Sequence, residues 1–132
     1  MINIFNELYT LFVTALATAD PSIKTSSVYT NTPSSFPFVS FEEIDNSVDE
    51  NGSDSCEIEN FANVEYEINI YTQNPSKKAK GDTIAQTVDT FMKSYGFRRV
   101  TKNSFQDSNE TTYRIVMRYS GVVSKDNVIY RR

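Results

Sequence analysis

Histidine is absent from the chain and cysteine occurs once, at Cys56. A structural zinc site built on cysteine and histidine is thereby excluded, and no disulfide can form within the chain. The expectation is an intracellular product. Without histidine, general acid–base chemistry would rest on Asp, Glu, Lys or Tyr, and these form no recognisable constellation with a nucleophile. The chain therefore reads as a non-enzyme with no cofactor. Positive charge is also scarce: the formal net charge is -4 and the isoelectric point is near 4.8. That balance argues against a general affinity for the DNA backbone, which needs clustered Lys and Arg to displace counterions. A phosphate-binding loop is missing too, because the run Lys77, Lys78, Lys80, Gly81, Asp82, Thr83 lacks the required order of glycine, lysine and hydroxyl residue.

What is present suffices for one core. The 132 residues are 39% hydrophobic and 13% aromatic, enough to fill one domain interior and too few for two. Residues 63–97 form its centre. Val64, Tyr66, Ile68 and Ile70 alternate with Glu65, Glu67, Asn69 and Tyr71, the pattern of a strand with one buried face. Ile84, Ala85, Val88, Phe91 and Met92 then fall at helical spacing in one stripe, and Gly96 followed by Phe97 has the form of a left-handed helix cap with its hydrophobic contact. A strand followed by a helix across its apolar face is a two-layer nucleus.

The flanks complete the pattern. Phe5, Leu8, Phe12, Ala15, Leu16 and Ala19 recur at helical intervals opposite Asn6, Glu7, Thr10 and Thr14; Asn3 can cap this helix and Asp20-Pro21 ends it. It is too polar and too short to span a bilayer. Ala17-Thr18-Ala19 has the small residues of a cleavage site, but no Lys or Arg precedes it, which argues against a signal peptide. Residues 24–31 and 36–44 are expected to be strands joined as a hairpin, the second near a sheet boundary because of Pro37. Residues 97–105 and 112–123 are expected to form another hairpin, with Tyr113, Ile115, Met117 and Tyr119 on one face and Arg114 and Arg118 opposite Glu65 and Glu67. Asp126-Asn127 suggests a last tight hairpin. The fold class is α+β: a mainly antiparallel sheet of about four to five strands against two helices, in the order α-β-β-β-α-β-β.

Two charged segments stand outside this core. Residues 46–60 combine Asp49, Glu50, Asp54, Glu57 and Glu59 with Ser, Asn and Gly, a composition expected to give a flexible acidic loop. Carboxylates and amides are hard-cation ligands, but counting from Asp49 the glycine is misplaced and the twelfth position is Asn60, so the calcium-loop pattern is not met. Lys77, Lys78 and Lys80 sit in an expected turn before the central helix; positive charge would oppose the dipole of a helix starting at Lys77, so either its first turn is frayed or the regular helix starts near Asp82.

The order of these parts carries a resemblance. A helix, a hairpin, an acidic loop, a strand ending Ile70-Tyr71-Thr72 and a lysine-containing turn are followed by a helix ending Gly96-Phe97-Arg98. Tyr113-Arg114-Ile115, Arg118-Tyr119 and a terminal Ile129-Tyr130-Arg131-Arg132 come next. Over nearly the whole chain this resembles the tail terminator proteins of long-tailed bacteriophages, also called tail completion or minor capsid proteins. The resemblance implies an α+β subunit that assembles as a hexameric ring, caps the tail tube and joins it to the head. Its partners would be further copies of itself, the tail tube protein and the head–tail connector, with DNA passing through the ring. It implies no catalytic, cofactor or metal residues, no membrane and no sequence-specific nucleic-acid binding. Its place would be the virion's head–tail joint, and the host cytoplasm during assembly. On this reading Lys77, Lys78, Arg131 and Arg132 against Glu50 and Asp54 are subunit-interface candidates, and Asp49, Glu50 and Asp54 form a loop toward the lumen. The alternative is a small cation- or ligand-binding α+β domain using acidic residues 45–59.

Overall fold

The computed structural model describes residues 3–27, 36–48, 61–73, 77–106, 112–124 and 129–130. Its elements are α1 (Phe5–Ala19), β1 (Lys24–Ser26), β2 (Phe38–Val48), β3 (Phe61–Gln73), α2 (Lys77–Ser94), β4 (Arg98–Gln106), β5 (Thr112–Ser124) and β6 (Ile129–Tyr130). This is the expected α+β class and order, with one more short strand at the end. Side by side the strands run β1-β2-β3-β5-β4, and β6 also pairs with β5. Every pairing is antiparallel except that of β1 with β2.

β3 holds the centre because its alternation gives the helices a continuous apolar face. Val64, Tyr66, Ile68 and Ile70 are buried there, and β5 sets Tyr119, Met117 and Ile115 directly opposite the last three. Each such side chain contributes roughly 1.5–3 kcal/mol on leaving water. α2 lays Ile84, Ala85, Val88, Phe91 and Met92 on this surface. It ends in a Schellman cap: Gly96 has φ 93°, its N–H donates to Lys93 O at 3.0 Å, and Phe97 N–H donates to Met92 O at 3.0 Å. The buried Phe97 ring then meets Tyr66 edge-on at 5.5 Å.

α1 covers the β2 side. Ile4, Leu8, Phe12 and Leu16 recur every fourth residue and are buried. Asn3 Oδ1 accepts the Phe5 N–H at 2.9 Å, and Asp20 ends the helix in extended backbone before Pro21. Phe12 joins the layers, 4.7 Å from Phe41 of β2 and 5.5 Å edge-on to Phe91 of α2. Ala19, assigned to the apolar stripe from spacing, is exposed at the last turn.

Four local expectations are corrected. Residues 24–31 and 36–44 do not form a hairpin, since β1 pairs with β2 in parallel, Lys24↔Phe38 through Ser26↔Ser40. The antiparallel neighbour of β2 is β3 on its other edge, from Phe38↔Tyr71 to Val48↔Ala62. β2 also runs on to Val48 through a bulge at Ile44, because the ladder satisfies backbone groups that outweigh the poor strand propensity of Asp45 and Asn46. The lysine segment is helical from Lys77, and Gly81 lies inside α2. A Cβ there would stand 3.0 Å from Tyr113 Cδ1, so glycine allows α2 to approach β5. Arg114, expected opposite Glu65, stands opposite Tyr71, whereas Arg118 does face Glu67.

Candidate functional site

Of the subunit-interface candidates, Lys77 begins α2 and Lys78 is exposed in its first turn. Asp49, Glu50, Asp54, Arg131 and Arg132 lie outside the described residues, as do residues 49–60 of the acidic loop. The described structure instead gathers charge at the two sides of the sheet.

β4 is the outermost strand on one side. Among the described residues it pairs only with β5, and residues 98–105 are all exposed. Arg98, Arg99 and Lys102 make it basic, without a carboxylate. On the other side β1 covers β2 only at Phe38–Ser40, so residues 41–48 have no outer strand partner among those described. That free length carries Glu42, Glu43 and Asp45, without a cation.

The register fixes the relative heights of these charges. One row across the sheet reads Asp45, Glu65, Ser120, Arg98; the next reads Glu43, Tyr66, Tyr119, Arg99; a third reads Glu42, Glu67, Arg118, Thr101. Acidic and basic clusters therefore lie at one level on opposite edges. Each edge also carries a bulge there: Ile44 between Glu43 and Asp45, and Val100 between Arg99 and Thr101. Both are exposed apolar side chains, at 38% and 44%.

Behind the edges, polar contacts hold the strands. On the face away from the helices, Arg114 donates from Nε (3.1 Å) and Nη2 (2.8 Å) to Asn69 Oδ1 and lies 5.8 Å from the Tyr71 ring and 5.9 Å from that of Phe105. Asn69 donates weakly to Glu67 Oε1 at 3.4 Å, and Glu67 pairs with Arg118 at 3.7 Å. On the helix side, Asp89 of α2 accepts from the Tyr119 hydroxyl at 2.8 Å and pairs with Lys93 at 2.9 Å and Arg99 at 3.3 Å. Burial pushes the Asp89 carboxyl up, but these donors and cations outweigh it and hold it below its ordinary value. A carboxylate so engaged is a tie between α2, β4 and β5, and a poor proton acceptor. Glu42 is the reverse case, raised by burial and by the charge of Glu67 directly opposite. Glu43 is likewise raised, chiefly by burial, although Asn46 donates to it at 3.4 Å.

Two clefts open beside α2. One of about 230 Å³ is lined by Asp82, Gln86, Asp89, Arg99 and Lys102; the other, of about 350 Å³, by Ala19, Ile23, Pro37, Lys80, Ile84 and Thr87. The second also includes Ser22, whose hydroxyl donates to Asp20 Oδ1 at 2.7 Å in an exposed turn. Among the described residues no group of three or more His, Cys, Asp or Glu side chains is placed to hold a metal ion, and no helix is long and apolar enough to cross a membrane. No protein-family model matches the chain, and no curated protein matches it significantly. The edge clusters were not singled out from sequence. Their signal was nonetheless legible as Glu42-Glu43-Ile44-Asp45 and Arg98-Arg99-Val100-Thr101-Lys102, two branched apolar residues each set among charges of one sign.

Proposed function

We propose that the protein is a phage tail terminator, a structural subunit that assembles into a ring, caps the tail tube and joins it to the head. The observation that carries this reading is the sheet with two edges that, among the described residues, are open and oppositely charged. A surface that complements a different surface on its own copy makes head-to-tail contacts, and such contacts close into rings when the rotation permits. The order of elements agrees with the resemblance in the sequence, and the polar clusters beside the core serve to fix strands. The ring is taken to be a homohexamer at the head–tail joint, touching the tube protein on one side and the connector on the other. In a phage carrying an early stop codon in this gene, filled heads should accumulate beside unattached tails of irregular or excessive length. Normal joined virions from that mutant would overturn the assignment.

A further inference from the structure

Resting on the ring reading, we propose that neighbouring copies join edge to edge, the Arg98–Lys102 segment of β4 in one subunit docking against the Phe41–Asp45 segment of β2 in the next.

Strand direction permits it. β2, β3, β5 and β4 alternate in direction, so β4 runs opposite to β2. Rotation about an axis along the strands preserves direction, and sets β4 of one copy antiparallel to β2 of the next, the orientation in which a ladder can form. Height permits it as well. Because the rows carry Arg98 level with Asp45 and Arg99 level with Glu43, a copy placed alongside without sliding along the strands brings these charges together. An assembly without such an offset does not climb as a filament, and it closes as a ring when the rotation between copies permits. The bulge residues Ile44 and Val100 then lie on either side of the row that brings Glu43 to Arg99, near enough across the seam for apolar contact between opposite charges.

The contact has a natural limit. β1 occupies the outer edge of β2 at Phe38–Ser40, so residues 103–106 of the incoming β4 must pass outside β1. Bulges and charges also serve to protect edge strands from unwanted pairing. Protection works with charge of either sign, however, and here the signs are separated: only cations on β4, only carboxylates on the free part of β2. Like charges oppose β4–β4 and β2–β2 contacts and leave the head-to-tail one. The crowding of Glu42 against Glu67 agrees, since arriving cations relieve it.

Site-specific crosslinking tests this. In the full chain with Cys56→Ser, the pair Ile44→Cys and Val100→Cys is introduced; both positions are exposed, and each single variant serves as a folding control by circular dichroism. Under mild oxidation the double variant should give a ladder of covalent oligomers ending at the ring, while each single variant stops at dimer. Separately, R98E/K102E and E42K/D45K should each lose self-association in light scattering, and an equimolar mixture should regain it, because each supplies the edge the other lacks. A double-cysteine variant that yields no ladder, or charge variants that associate like the parent, overturns the proposal. Parent rings without a crosslink would sink this interface and leave the ring reading standing. A crosslinked ring from a phage whose stop-codon mutant is normal would sink the terminator reading and leave the interface.

Discussion

Gly121→Ala is the substitution for which the structure gives the sharpest expectation. The added Cβ would lie 2.6 Å from Phe97 Cδ1 and 2.8 Å from Cε1, closer than carbon atoms approach without something moving. The Phe97 ring has little room to retreat. It is buried and stands edge-on to Tyr66 at 5.5 Å, and the Phe97 N–H is tied to Met92 O as part of the α2 cap. Overpacking of this kind costs typically 1–3 kcal/mol, and a ring fixed on two sides belongs at the upper end, about 2–3 kcal/mol. With a urea m-value of roughly 1–3 kcal/mol/M, the midpoint should fall by about 1 M or more while m is unchanged. A companion Phe97→Leu should itself be destabilising, yet the double variant should be more stable than the sum of the two losses predicts, by on the order of 1 kcal/mol of favourable interaction. A Gly121→Ala midpoint within about 0.2 M of the parent, about 0.2–0.6 kcal/mol at such m-values, refutes the argument that the Phe97 ring is locked; additive losses refute the assigned contact.

Three further outcomes follow from the packing and charge. Ile68→Ala and Phe91→Ala should each lose about 2–5 kcal/mol in chemical denaturation, since both leave a cavity where β3 meets α2. Asp89→Ala should lose about 1–3 kcal/mol, mainly because the Tyr119 hydroxyl is left without its acceptor, the pairs with exposed Lys93 and Arg99 adding little. Because the Asp89 carboxyl is lowered on folding, its contribution is full above the ordinary value of 3.8 and fades as pH falls through the lower folded value. Denaturation of parent and Asp89→Asn at several pH values should therefore converge in acid. Glu42 has the opposite sign, so Glu42→Gln should match or exceed the parent's stability near neutral pH and lose that advantage on acidification.

How much could be read beforehand follows from which forces acted locally. The β3 stripe, the α2 stripe and the Gly96-Phe97 cap were legible because a period and a φ requirement are written in neighbouring residues. The direction of β1 was not: it does lie beside β2, but parallel to it, and residue pattern alone does not distinguish that pairing from a hairpin. Lys77–Gly81 read as a turn for the same reason, since the gain that draws Gly81 into α2 is its contact with Tyr113, thirty-two residues onward. Charged edges were visible as composition, but their shared height needed the register of four strands. Arg118 was placed correctly against Glu67 because both lie on long alternating strands, and antiparallel spacing then sets Arg114, four residues away, opposite Tyr71 and not Glu65.

The sheet order also constrains how the chain is made. β2 and β3 can pair as soon as both have been synthesised, but β3's other neighbour is β5, from Phe61↔Ser124 to Gln73↔Thr112, and α2 and β4 are made in between. At ~5–20 residues per second, β3 waits on the order of several seconds with one edge bare. During that interval α2 has only half its floor, since Ile115, Met117 and Tyr119 have yet to arrive. Closure of the central ladder is thus a non-local step of the kind that slows folding. Any contact made through β4 must wait for it, because β4 has no place in the sheet until β5 has docked on β3.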